Sequence, residues 1–257
     1  MRDPDVVSLR YRVETDGTVS YKDAPPVEHK TDCFTLRLAD DVLSVKMKEH
    51  FPSVKTAREV VDKFLRGWEL DVALRRGPGE LQFVYEDANV IDRNPPPDTC
   101  QTIELSIDSC WHMNSCLTLH LERNTYPDPP KSFCFSPDVE TMWLRYQGYK
   151  NGREPLLAMA YLCLTIVKSR AGGIGQAAHQ FSVDKALLNK LGEISSTRGD
   201  MATARKVNRT GVSESLTETE IAWTEAAVRT LIRRIGEYDA APGDSLPLLT
   251  MKDLPPV

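Results

Sequence analysis

Two hydrophobic rhythms divide the chain. Up to about residue 135, apolar residues recur mainly at every second position, the period of a strand; beyond it they recur at every third or fourth, the period of a helix. Val6–Val13 predicts a first strand. Phe34–Leu38 reads Phe-Thr-Leu-Arg-Leu, a strict alternation, and Val42–Met47 continues it. Between them, Asp16–Lys30 is polar and holds the pair Pro25-Pro26, which predicts a loop or a sheet edge. A helix fits Thr56–Leu74, opened by a capping box of Thr56 and Glu59. Its apolar stripe is Val60, Val61, Phe64, Leu65, Trp68 and Val72, and Gly77-Pro78-Gly79 ends it. Strands then resume. Glu80–Tyr85 places Leu81, Phe83 and Tyr85 on one face. After the extended connector Pro95-Pro96-Pro97, Ile103–Ile107 and Cys116–Leu121 predict an antiparallel pair, with Leu117, Leu119 and Leu121 facing the core and His120 facing solvent.

Past Pro137 the elements are helical. The expected helices are Asp138–Tyr146, Glu154–Lys168, a short pair within Ile174–Glu193, and Glu218–Tyr238. Thr217 and Glu220 make a capping box for the last one. Its buried face is read as Ile221, Val228, Leu231, Ile232 and Ile235, with Arg229, Arg233 and Arg234 near the C-terminal end complementing the dipole. The Pro-rich tail from Ala241 is expected to be loose or to lie along the surface. The fold class is therefore α+β: an N-terminal antiparallel-sheet domain with one long packed helix, residues 1–135, followed by an all-helical C-terminal domain, residues 136–257.

Either half of a 257-residue chain is long enough to bury its own core. The formal net charge of −5 argues against a protein coated in positive charge for bulk nucleic-acid binding, but leaves room for a local basic surface. The charged start Met1-Arg2-Asp3-Pro4-Asp5 does not read as a secretory signal. The longest apolar run, Leu156–Val167, is shorter than the ~20 residues that cross a bilayer, so no membrane partner is expected. The six cysteines are expected to be reduced thiols in a cytoplasmic protein. The well-mixed composition, free of low-complexity tracts, reads as prokaryotic.

The strongest local pattern is Gln176–Ile194. Small Ala177 and Ala178 let two helices approach, Phe181 closes the first onto the core, and Ser182-Val183 forms the turn. Leu187, Leu188 and Leu191 bury the second helix, and Ser182 or Asp184 caps it. This segment, 176–194, resembles the helix-turn-helix of DNA-binding regulators, whose second helix enters the major groove. The resemblance implies an exposed face of Lys185, Asn189 and Lys190, extended by Arg198, Arg205, Lys206 and Arg209. From Thr165 to Thr210 eight Lys/Arg stand against three Asp/Glu, an excess of +5. Against the nucleic-acid reading, the turn lacks a glycine, and Asp184 would sit near phosphates and repel them. Two short packed helices also occur in domains that contact only protein.

No coherent catalytic set is visible. Cys110, His112, Cys116 and His120 are zinc-ligand types. On one strand, however, Cys116 and His120 would lie about 13 Å apart at roughly 3.3 Å per residue, too far for one metal. Gly172-Gly173-Ile174-Gly175 lacks the Lys-Ser/Thr of a phosphate loop and follows a helix, so it reads as a joint. Glu86, Asp87, Asp92 and Arg93 follow a predicted strand and read as surface charges or an Arg–carboxylate brace. Arg170 and His179 in a helical part resemble in outline the HEPN group of ribonucleases from toxin and phage-defence systems, which place an Arg a few residues before a His on one helix. Here eight residues, three of them glycine, intervene, and no catalytic role carries over.

Three readings result. The first is a non-enzymatic binding or scaffolding protein of the prokaryotic cytosol. It uses a basic face of its helical domain, needs no cofactor or metal, and binds a protein partner or a second copy of the chain. The second is a DNA-binding regulator acting through 176–194, with nucleic acid as partner. The third is a HEPN-like ribonuclease or phage-defence component.

Overall fold

The computed structural model describes residues 3–94, 120–199 and 215–257. The expected elements Pro95-Pro96-Pro97 and Ile103–Ile107, most of Cys116–Leu121, and residues Cys100, Cys110, Trp111 and His112 lie outside this range. The chain forms two compact units, Met1–Lys131 and Ser132–Val257.

In the first unit a five-stranded antiparallel sheet has the order β3-β4-β5-β1-β6. Its strands are β1 (Pro4–Glu14), β3 (Val27–Lys30), β4 (Phe34–Ala39), β5 (Val42–Met47) and β6 (Gln82–Asp92). β2 (Val19–Tyr21) lies in a separate ribbon, parallel to β7 (Leu121–Arg123). Alternation decides the faces. Leu9, Tyr11 and Val13 on β1, Phe34, Leu36 and Leu38 on β4, and Leu43, Val45 and Met47 on β5 are all buried. Against them packs α1 (Val54–Arg76) through Ala57, Val61, Leu65, Trp68 and Val72. These positions recur at four, four, three and four residues, so they form one helical stripe.

Several local expectations shift. α1 begins earlier than Thr56: Ser53 is the N-cap, and its hydroxyl accepts the Thr56 N–H at 3.2 Å, so the Thr56–Glu59 box is replaced by a simple serine cap. Val60 is 37% exposed, and Ala57 takes the place it was given in the stripe. The polar stretch Asp16–Lys30 contains β2 and the edge strand β3. β6 runs past Tyr85 to Asp92, so Glu86, Asp87 and Asp92 are strand residues rather than a following loop. Leu121 is 50% exposed instead of core-facing. His120 is exposed as well, and its ring contacts Ser20 Oγ at 2.8 Å and Gly17 O at 3.1 Å.

The β4–β5 turn is Asp40-Asp41, both at positive φ (50° and 58°), the primed-turn geometry that matches strand twist. Tyr126 holds it: its hydroxyl accepts the Asp41 N–H and donates to the Asp41 carboxylate, both at 2.8 Å.

The second unit contains α2 (Pro137–Lys150), α3 (Leu156–Ala171), α4 (Ile174–Gln180), α5 (Lys185–Thr197) and α6 (Glu218–Ala240), then a 3-10 turn at Met251–Asp253. Gly172 (φ 82°) and Gly173 (φ 143°) take conformations that other residues resist, and the chain bends by 80° between α3 and α4. Among the described residues no single helix is long and apolar enough to cross a membrane. The capping box of Thr217 and Glu220 opens α6. The buried face of α6 is broader than expected and includes Trp223, Ala227 and Arg234, while Ile221 is only half-buried. α6 also extends beyond the three arginines, leaving no basic residue in its last turn. Arg234 is 6% exposed and donates to Pro247 O at 2.7 Å. The tail is therefore seated: Leu249 and Leu254 are buried, and Leu249 makes a parallel bridge with Val183.

Candidate functional site

The segment 176–194 folds as two packed helices, α4 and α5. Ala177, Phe181, Val183, Leu187, Leu188, Leu191 and Ile194 are all buried. Ser182, at φ 50°, reverses the chain without a glycine. Asp184 caps α5 by accepting the Ala186 N–H at 2.9 Å. The turn is clamped from outside: Leu249 N–H donates to Ser182 O at 2.8 Å, and Asp184 N–H donates to Leu249 O at 2.7 Å. The C-terminal tail thus occupies the backbone groups beside the start of α5.

Of the residues expected to form a binding face, Lys185 and Asn189 are exposed, one helical turn apart on α5. Glu193, also exposed, continues their stripe. Lys190 is half-buried and pairs with Glu193 at 3.3 Å. Arg198 donates to Glu220 at 2.8 Å, at the N-terminus of α6. Glu220 is a buried carboxylate held below its ordinary pKa, first by the Thr217 backbone N–H and also by Arg198. Arg205, Lys206 and Arg209 lie outside the described residues.

The local charge excess is therefore smaller than the sequence window implies. Within it, Arg170 pairs with both carboxylate oxygens of Asp239 and with Asp138 at 3.2 Å. These acids come from α6 and α2, outside the counted window. Of the described cations between residues 165 and 199, Lys168 and Lys185 alone have no carboxylate partner among the described residues.

The ribonuclease geometry is not assembled either. Arg170 is on α3 and His179 on α4, across the 80° bend. Arg170 lies 5.8 Å from the ring centres of both Phe181 and Tyr238, a bracing position among α3, α4 and α6. His179 is exposed at an open depression of about 570 Å³ beside Ala171, Gly175 and Gln176. Among the described residues no group of three or more His, Cys, Asp or Glu could hold a metal ion. Cys33 and Cys134 are half-buried free thiols, and burial pushes the Cys163 thiol up to about 12.

In the first unit the polar groups brace the fold. Arg93 and the Phe51 N–H meet the buried carboxylate of Asp5, at 2.7 and 3.2 Å. Glu80, also buried, accepts from Arg123 at 2.7 Å. One surface stands apart: a depression of about 470 Å³ on the open face of the sheet, whose border includes Ser8, Glu28, Lys30, Thr35, Arg37 and Lys46. The buried positions of the strands carry no trace of it. The signal was present in the polar half of the same alternation, Thr35 and Arg37 between Phe34, Leu36 and Leu38.

No protein-family model, no curated protein and no solved structure matches this chain.

Proposed function

We propose that the chain is a non-catalytic binding protein that presents the outward face of α5 to a protein partner, a second copy of the chain being the simplest. One observation carries the reading: α5 is locked in place from behind and at its start, while its outward stripe, Lys185, Asn189 and Glu193, is exposed and of mixed charge. A rigid helix face that keeps one orientation loses little freedom on binding. Mixed charge suits complementary pairing across a protein interface, whereas nucleic acid calls for uncompensated cations. A prokaryotic, cytoplasmic setting belongs to the same proposal and rests on composition.

Sedimentation velocity over rising concentration tests it, comparing the chain with Lys185→Glu/Asn189→Glu. Self-association that weakens in the variant, with unchanged circular dichroism, is the expected result. A chain that stays monomeric up to its solubility limit overturns self-association through this face.

The burial pattern of 176–194 favours one second reading, DNA contact through α5. A gel shift at low salt with Lys185→Glu/Lys190→Glu decides it: loss of a salt-sensitive complex supports DNA contact, and no complex removes it.

A further inference from the structure

The open face of the five-stranded sheet points to a second binding surface, on the first unit and independent of α5. We infer that it binds the phosphate backbone of a nucleic-acid duplex through the row Lys30, Thr35, Lys46 and Ser8.

Strand pairing assembles this row. Lys30 on β3 is opposite Thr35 on β4, Thr35 is opposite Lys46 on β5, and Lys46 is opposite Ser8 on β1. Because side chains of paired residues project to the same side, the four form a line across the sheet. Their strand neighbours Leu36, Val45 and Leu9 are buried on the opposite face, so the line faces away from α1. Both lysines are exposed.

Charge separates this row from ordinary solvated sheet surface. The adjacent row is Glu28, Arg37, Ser44, Arg10 and Asp87. It neutralises itself: Arg37 pairs with Glu28 at 3.8 Å, and Arg10 pairs with Glu86, beside Asp87 on β6, at 3.1 Å. This is the cross-strand matching expected of a face that meets only water. The first row has no such matching. Lys30 and Lys46 flank Thr35, and neither meets a carboxylate among the described residues. Strands lie about 4.8 Å apart, so the two lysines are rooted about 10 Å from each other. Their flexible stems span the range of duplex groove widths, ~6 to ~12 Å, within reach of phosphates on both groove walls.

The chemistry selects the partner. Lysine with serine and threonine hydroxyls is a phosphate-contacting set that carries no sequence information. The row and its neighbour contain no aromatic side chain, which argues against a single strand held by base stacking. Lys30 stands on the edge strand β3, but the row runs across four strands and so offers side chains rather than the backbone ladder that seats an added peptide strand. The overall charge of −5 restricts contact to this strip and makes it weak and salt-sensitive.

Fluorescence anisotropy with a labelled duplex at low salt tests the inference. The arms are the full chain, Lys30→Glu/Lys46→Glu, and the charge-matched control Lys55→Glu/Lys63→Glu on the exposed side of α1, all checked for unchanged thermal unfolding. Wild type is expected to bind, the sheet-face variant to bind at least tenfold more weakly, and the α1 variant to bind normally. The slope of log K against log salt should flatten by about 1.8 in the sheet-face variant, at about 0.9 per phosphate contact. No wild-type binding at low salt overturns the inference, as does full binding by the sheet-face variant. Equal competition by poly-glutamate would show bare charge attraction and overturn the phosphate assignment. Preference for a single strand would overturn the duplex.

Discussion

Glu69 makes the sharpest energetic test of how α1 is joined to the sheet. Its side chain leaves α1, and Oε1 accepts the backbone N–H of Phe83, near the start of β6, at 2.6 Å. Burial raises its pKa from the ordinary 4.5 to about 7, even though the Phe83 N–H and Arg66 pull it back down. The native state therefore holds the proton more tightly than the unfolded chain does. Between pH 4.5 and 7 folding takes up a proton, so the contribution of Glu69 is fully present below about 4.5 and is lost as pH rises through about 7. At 1.36 kcal/mol per tenfold change the ceiling is ~3 kcal/mol, and ~2 kcal/mol is expected after allowance for the part of the side chain that water reaches. Glu69→Gln keeps an oxygen for the Phe83 N–H and removes the ionisation. Urea unfolding followed by tryptophan fluorescence is the assay, with Trp68 packed 5.0 Å from Phe83 as reporter. At pH 5 the variant should match wild type within ~0.5 kcal/mol, and at pH 8 it should be more stable by ~2 kcal/mol. Glu69→Leu removes the acceptor as well and should cost ~1 kcal/mol at pH 5, because a half-buried N–H loses its partner. A Glu69→Gln effect of the same size at both pH values would refute the reasoning.

Other perturbations read other joints. Gly236→Ala in α6 gains up to ~1 kcal/mol of helix propensity, yet a Cβ there would stand 2.3 Å from Phe133 Cε2, so thermal unfolding should show a net loss of ~1–3 kcal/mol. Phe133→Ala in the same chain should remove most of the penalty of adding the methyl. Tyr126→Phe deletes the hydroxyl that ties the Asp40-Asp41 turn at Asp41, and denaturant unfolding should show a loss of ~1–3 kcal/mol. Leu249→Asp places a charge at a buried position of the tail and should speed hydrogen exchange at the Asp184 amide, which donates to Leu249 O; unchanged protection would show that the tail does not hold the turn.

The elements that sequence periodicity located well are those in which one face alone is buried. β4 and β5 alternate without interruption, and 176–194 places every buried leucine where helical spacing requires it. Errors fell where a residue's surroundings come from far along the chain. Glu59 three residues after Thr56 satisfies a capping pattern, but the true cap lies at Ser53, set by where α1 meets the loop after β5. Val60 fits an apolar stripe as well as Ala57 does, and only packing against the sheet decides between them. The tail past Ala241 has no periodicity at all. It is fixed by single long-range bonds, Arg234 to Pro247 and Leu249 to the α4–α5 turn.

Charge was less legible than hydrophobicity, for a physical reason. Burial is written into the period of a single element, but the electrostatic worth of a cation depends on which acid lies within a few ångströms, and that acid is often remote in sequence. Arg170 and Asp239 are 69 residues apart, and Arg198 and Glu220 are 22 apart. Summing charges over a window of α3 to α5 counts the cations and omits those partners. Lys30 and Lys46 show the converse. Neither stands in a basic run, and strand register alone brings them together around Thr35 with no acid between. A basic surface is thus a property of pairing: on the sheet, side chains from four strands share one row.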